Sequence, residues 1–161
     1  MSETIIPVVL GGIIKDGKIL LIRRKKKPFQ GLWSLPGGKV ESCESVTDAM
    51  AREIREETGL RVESMEFLGI VSERIDDGEK AIGGHLINVF LLNVQGKNIT
   101  MNGEGRLQWF PIEDLSKIEE DAIPTDLFII SHMLCPKHKG SYVYVLEQEH
   151  GRYCVKEVLS I

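Results

Sequence analysis

The sequence predicts a single domain of mixed α and β structure, and three observations carry that expectation. Short apolar runs, such as residues 7–14 and 85–94, are separated by turns containing Gly and Asp. A charged stretch over residues 45–58 instead spaces its apolar residues as a helix does and stops at Gly59. The chain has 161 residues, 42% hydrophobic and 27% charged, which suits one sizeable core and is too short for two ordinary domains.

In chain order, residues 7–14 and 19–22 flank Lys15-Asp16-Gly17-Lys18, an Asp-Gly turn signal, and predict a β-hairpin. The hairpin runs into Arg23-Arg24-Lys25-Lys26-Lys27, a dense positive run. In Gly31-Leu32-Trp33-Ser34-Leu35-Pro36-Gly37-Gly38, Pro36 cannot continue a ladder, and the two glycines let the backbone turn and approach a ligand. Trp33 reads as core. A helix starts at residues 45–47, with Val46, Ala49, Met50 and Ile54 packing inward.

Residues 65–72 read as a strand, Asp76-Asp77-Gly78 as a turn, and 85–94 as a long apolar strand central in its sheet. His85 reads as packed or hydrogen-bonded. A strand over 107–110 ends at Pro111, a short helix starts at 112–115, and a longer one spans 125–134 with Thr125 as N-cap. His132, Cys135 and His138 lack a fourth ligand and do not make a zinc site. Residues 141–147 and 152–161 form a second hairpin around Glu149-His150-Gly151, which either covers a sheet edge or builds a homodimer interface.

Arg52, Glu53, Glu56 and Glu57 crowd into a turn and a half of the first helix. At about 100° per residue, the three glutamates share an arc of roughly 100°. Like charges at that spacing cost roughly 0.2–0.5 kcal/mol per pair, so something outside the helix must compensate. A hard divalent cation does so best, because Mg²⁺ takes one or two carboxylates and completes its shell with water and phosphate.

The spacing matches G-x5-E-x7-R-E-U-x-E-E-x-G-U through Gly38, Glu44, Arg52, Glu53, Ile54, Glu56, Glu57, Gly59 and Leu60. At average residue usage such a match arises by chance in roughly one chain of this length in ten million. The chain resembles the Nudix (MutT-like) hydrolases. The resemblance implies an α/β/α sandwich with a mixed sheet over residues 1–136, with residues 137–161 a C-terminal β-hairpin extension packed on the same domain.

It further implies a pyrophosphohydrolase that uses Mg²⁺, with Mn²⁺ as alternative. Glu53, Glu56, Glu57 and the Gly37 carbonyl would hold the metal, and Arg52 would steady the carboxylates. Glu44 takes a structural place. Glu104, five residues before Trp109, would act as general base. Arg23, Arg24 and Lys39 are candidate phosphate contacts, and Asp126 a candidate reader of a base edge.

The expected substrate is a nucleoside diphosphate linked to X, first a nucleoside triphosphate. ADP-ribose or a nucleotide sugar, or a sensor that binds without cleaving, are the alternatives. The net charge of −4 argues against nucleic acid or a membrane surface as partner. The opening residues carry no basic leader, and no apolar run reaches 18 residues, so neither signal peptide nor membrane span is expected. Cys43, Cys135 and Cys154 form an odd set without CxxC and read as reduced thiols of a cytoplasmic protein.

Overall fold

The computed structural model describes residues 4–96, 99 and 105–161. Its elements in order are β1 (Ile5–Gly12), β2 (Ile14–Lys15), β3 (Lys18–Arg24), β4 (Trp33–Ser34) and β5 (Gly37–Lys39). Then come α1 (Val46–Thr58), β6 (Arg61–Asp76), β7 (Ala81–Gln95), β8 (Gly105–Pro111) and a 3₁₀ helix (Ile112–Asp121). Last are α2 (Pro124–Ile129), a π turn (Ile130–Leu134), β9 (Gly140–Glu149) and β10 (Arg152–Ser160).

Among the described residues, six strands form a mixed sheet in the order β10-β9-β6-β7-β1-β5, and β2, β3, β4 and β8 form a second. The side chains of β7 alternate between two cores, as a strand buried on both faces requires. Ile87 and Val89 join Ile129 and Met133 on one side of the sheet. Phe90 and Leu92 join Met50 and Ile54 of α1 on the other. Helical layers on both faces make the α/β/α sandwich.

Both ends of α1 are locally specified. Ser45 Oγ accepts from the Asp48 N–H at 3.1 Å, a cap worth ~1 kcal/mol. Gly59 adopts the left-handed conformation at φ 74° and donates to the Arg55 carbonyl. Met50 and Ile54 are wholly buried.

Two expectations need correction. Residues 7–14 and 19–22 do not make one hairpin: only β2 turns back onto β3, while β1 pairs with β7 and β5. The reason is that β1 is apolar on both faces. Val9 enters the α1 core while Val8 and Leu10 pack against the other, so an isolated hairpin would leave one face wet. Thr125 is not the N-cap of the last helix. Ile123 takes that place, Pro124 opens the helix, and the Thr125 hydroxyl is engaged elsewhere.

The C-terminal hairpin extends the large sheet. β9 runs parallel to β6 from Gly69↔Gly140 to Asp76↔Glu147, and β10 is the outermost strand. The register of β10 shifts between Val155 and Glu157. Lys156, at the shift, sets its Nζ 3.6 Å from Glu147 and 3.9 Å from Asp76. No helix among the described residues is long and apolar enough to cross a membrane.

Candidate active site

The β5–α1 junction gathers the charged residues of the motif. The Arg52 guanidinium grips Glu44 with two parallel bonds, Nε to Oε1 at 2.7 Å and Nη2 to Oε2 at 3.0 Å. Its Nη1 donates to Glu53 at 2.8 Å and Glu56 at 3.3 Å, and its Nη2 donates to the Lys39 carbonyl at 3.0 Å. One cation therefore touches three carboxylates and the strand beside them. Its hydrogen bond to Glu44, ahead of the one to Glu53, raises the Arg52 pKa further above its ordinary value. The same contact, with the Glu41 N–H, lowers that of Glu44.

Glu57 is held separately, accepting from the Gly37 N–H at 2.9 Å. Glu53 and Glu57 are buried and Glu56 is exposed, so two of the glutamates face the glycine strand and the third stands at the rim. Gly37 is required sterically, and Gly38 leaves room for the Glu53 carboxylate. A Cβ on Gly37, at φ 152°, would lie 1.9 Å from the Val9 carbonyl oxygen, and one on Gly38 would lie 2.5 Å from Glu53 Oε1.

Three carboxylates and the Gly37 carbonyl are hard oxygen donors, the set that Mg²⁺ or Mn²⁺ prefers. Among the described residues these side chains are not gathered into a closed cluster. Arg52 draws Glu53 and Glu56 one way, and Gly37 holds Glu57 the other. The donor chemistry fits a hard divalent cation, which would replace Arg52 contacts with its own.

On their far side, Gly37 and Gly38 line a recess with Arg24, Ser34, His85 and Asp126. Its volume is about 60 Å³, that of about two water molecules. The carboxylate of Asp126, 4% exposed, accepts from the Leu35 N–H at 2.7 Å. Burial pushes its pKa up to about 7, the nearby Glu73 adds to the shift, and the Leu35 N–H and Arg24 oppose it.

The predicted residues divide accordingly. Arg24 and Asp126 meet at the recess. Arg23 lies exposed, donating to the Gly31 carbonyl with its guanidinium 5.9 Å from the Trp33 ring centre. The Lys39 side chain is exposed too, and only its carbonyl reaches Arg52. Glu104 lies outside the described residues. Trp33 is core, edge-on to Phe110 at 4.8 Å.

Sequence reasoning missed Glu73, which is 2% exposed at the recess and bonded to His85 and Thr125. The alternation of β6 carries the signal, since Glu73 shares its face with the buried Val71 and Ile75. A larger hollow of about 460 Å³, between residues 13–18, Leu92 and Trp109, shares no residue with the recess and none with the box glutamates.

The NUDIX domain model matches residues 6–129. The Nudix hydrolase YvcI of Bacillus subtilis is 34% identical over 137 residues, covering 83% of this chain and 84% of its own. The ADP-ribose pyrophosphatase of Methanocaldococcus jannaschii is 42% identical over 117 residues, covering 71% and 67%. The crystal structure of a MutT protein from Bacillus halodurans superposes with a TM-score of 0.80 at 24% identity, over 97% of both chains, and shows the same fold. The family model spans both β5–α1 and the recess, so this chain belongs to the NUDIX family and is a Nudix pyrophosphohydrolase.

Proposed function

We propose that the chain cleaves the pyrophosphate linkage of a nucleoside triphosphate, releasing the nucleoside monophosphate. One observation carries this reading: Gly37 and Gly38 form a wall shared by two sites. The wall touches Glu57 and crowds Glu53 on one side, and borders the Asp126 recess on the other. A nucleotide laid across it would set its base edge in the recess and its phosphates over the carboxylates.

Glu53, Glu56, Glu57 and the Gly37 carbonyl would hold Mg²⁺ or Mn²⁺, which when bound offsets phosphate charge and lowers the pKa of a water. Arg52 keeps Glu44 and the box carboxylates in place through its hydrogen bonds. Arg24 at the recess, with Arg23 and Lys39 outside it, supplies positive charge to orient the phosphate chain. Glu104, or a box carboxylate in its stead, takes the proton from the attacking water. Asp126 accepts from the base edge. The three free, exposed cysteines fit a reducing cytoplasm.

ADP-ribose is a second reading, favoured by the 42% identity to a protein named for that substrate. The test is product release from a panel of nucleoside triphosphates, ADP-ribose, nucleotide sugars and dinucleoside polyphosphates, with Mg²⁺ and with EDTA. Metal-dependent turnover with the highest kcat/KM on a triphosphate is expected. A highest value on ADP-ribose would replace the first reading by the second. Binding without turnover would make the chain a sensor.

A further inference from the structure

The recess has a second floor residue for which the proposed chemistry has no role. Glu73 stands near the C-terminal end of β6, and its two oxygens take donors from different elements. Oε1 accepts from His85 Nδ1 on β7 at 2.6 Å, and Oε2 accepts from the Thr125 hydroxyl on α2.

A carboxylate can only accept, so the contact decides where the imidazole proton sits. Nδ1 carries it, and in the neutral ring Nε2 is then an acceptor. Nε2 makes no hydrogen bond among the described residues, whose buried side-chain polar atoms are all partnered. It therefore reaches open space, and the space that His85 borders is the recess. Asp126 borders the same space with one oxygen spent on the Leu35 N–H. Phe29, itself packed on Tyr153 of β10 at 4.4 Å between ring centres, closes the side next to His85.

We infer that His85 is a specificity-determining residue whose tautomer is set by Glu73, so that its Nε2 and the Asp126 carboxylate offer two acceptors to an amino-bearing nucleobase edge. This rests on the reading of the recess as the base site. Adenine, cytosine and guanine carry such an amino group, and bases without it leave a floor acceptor unpaired. Glu73 is the positioning residue. Its bond to Thr125 also ties the first turn of α2, and with it Asp126, to β6.

The experiment measures binding of nucleoside 5′-monophosphates, so that it does not depend on turnover. Adenosine is compared with purine riboside, and guanosine with inosine, each pair differing by one amino group. Calorimetry at pH 8.5 keeps Asp126 ionised. Wild type should bind at least one amino nucleotide about tenfold more tightly than its twin. His85→Phe should lower that ratio, and Glu73→Met, which leaves Nδ1 without its acceptor, should lower it by freeing the ring to take the other tautomer.

Imidazole ¹⁵N shifts in the full chain give an independent readout: Nδ1–H in wild type, and a shift toward Nε2–H in Glu73→Met. An Nε2–H ring in wild type overturns the inference even if a variant fails to fold. So does an unchanged ratio in a folded His85→Phe. A panel that binds with no amino preference defeats this inference and leaves the base site standing. Wild type that binds no mononucleotide defeats the base site and the inference with it.

Discussion

Replacing Asp126 by Asn should stabilise the fold at alkaline pH and leave it nearly unchanged in acid. Burial raises the Asp126 pKa from 3.8 to about 7. The native state therefore holds the proton more tightly than the unfolded chain does. Between those values wild type loses stability as pH rises, and the full cost is present only above the folded value. A shift of about three units at ~1.36 kcal/mol each makes that cost roughly 4 kcal/mol. Asn is neutral throughout and keeps an oxygen for the Leu35 N–H. Urea unfolding followed by tryptophan fluorescence at pH 4, 6 and 8 reads the difference between the two proteins, in which titrating groups distant from Asp126 cancel. The difference should grow from near zero at pH 4 to roughly 4 kcal/mol at pH 8. A flat difference, or a wild type that is the more stable at pH 8, would refute the burial cost assigned to Asp126.

Three more outcomes are expected. Glu57→Gln retains an acceptor for the Gly37 N–H and so should fold, yet lose roughly 10²-fold or more in kcat through its lost charge; near-wild-type turnover would sink the metal assignment. Gly38→Ala thrusts a methyl to within 2.5 Å of Glu53 Oε1, the far end of a flexible side chain. Calorimetric Mn²⁺ affinity should then fall about 10- to 100-fold with little change in Tm, and unaltered affinity would separate Glu53 from the metal. Gly69→Ala, at φ 143°, sets its Cβ 1.7 Å from the Gly140 carbonyl oxygen where β9 joins β6. A Tm lower by several degrees, from roughly 1–3 kcal/mol of strain, is expected in a thermal melt, and an unshifted melt would contradict that close approach.

What could be read from the sequence follows from how local each feature is. The α1 helix was legible because its cap, its stop at Gly59 and its carboxylate spacing all lie within about four turns of one segment. The second hairpin was legible for the same reason. The path of β1 was not, since adjacency to an Asp-Gly turn outweighed the fact that both its faces are apolar. The recess was harder still. Glu73 meets His85 through the antiparallel register of β6 and β7, and meets Thr125 across 52 positions of sequence. Leu35 contributes a backbone N–H, which no side-chain pattern can announce. Asp126 could be nominated as a helix-start acid, but its burial and raised pKa come from the sheet packed over it.

The C-terminal hairpin also bears on solubility. β6 is sixteen residues long, and β9 occupies its outer side from Gly69 to Asp76. A chain cut before Gly140 would present that row of unpaired amides and carbonyls as a template for a neighbouring molecule. It would also uncover the core that Tyr144 and Leu146 complete. Among the described residues the outer strand on that side of the sheet is β10, whose register breaks at Lys156 while Val155, Val158 and Leu159 stand exposed along it. β9 thus shields the long outer side of β6, and a chain ending at residue 139 should aggregate more readily than the full one.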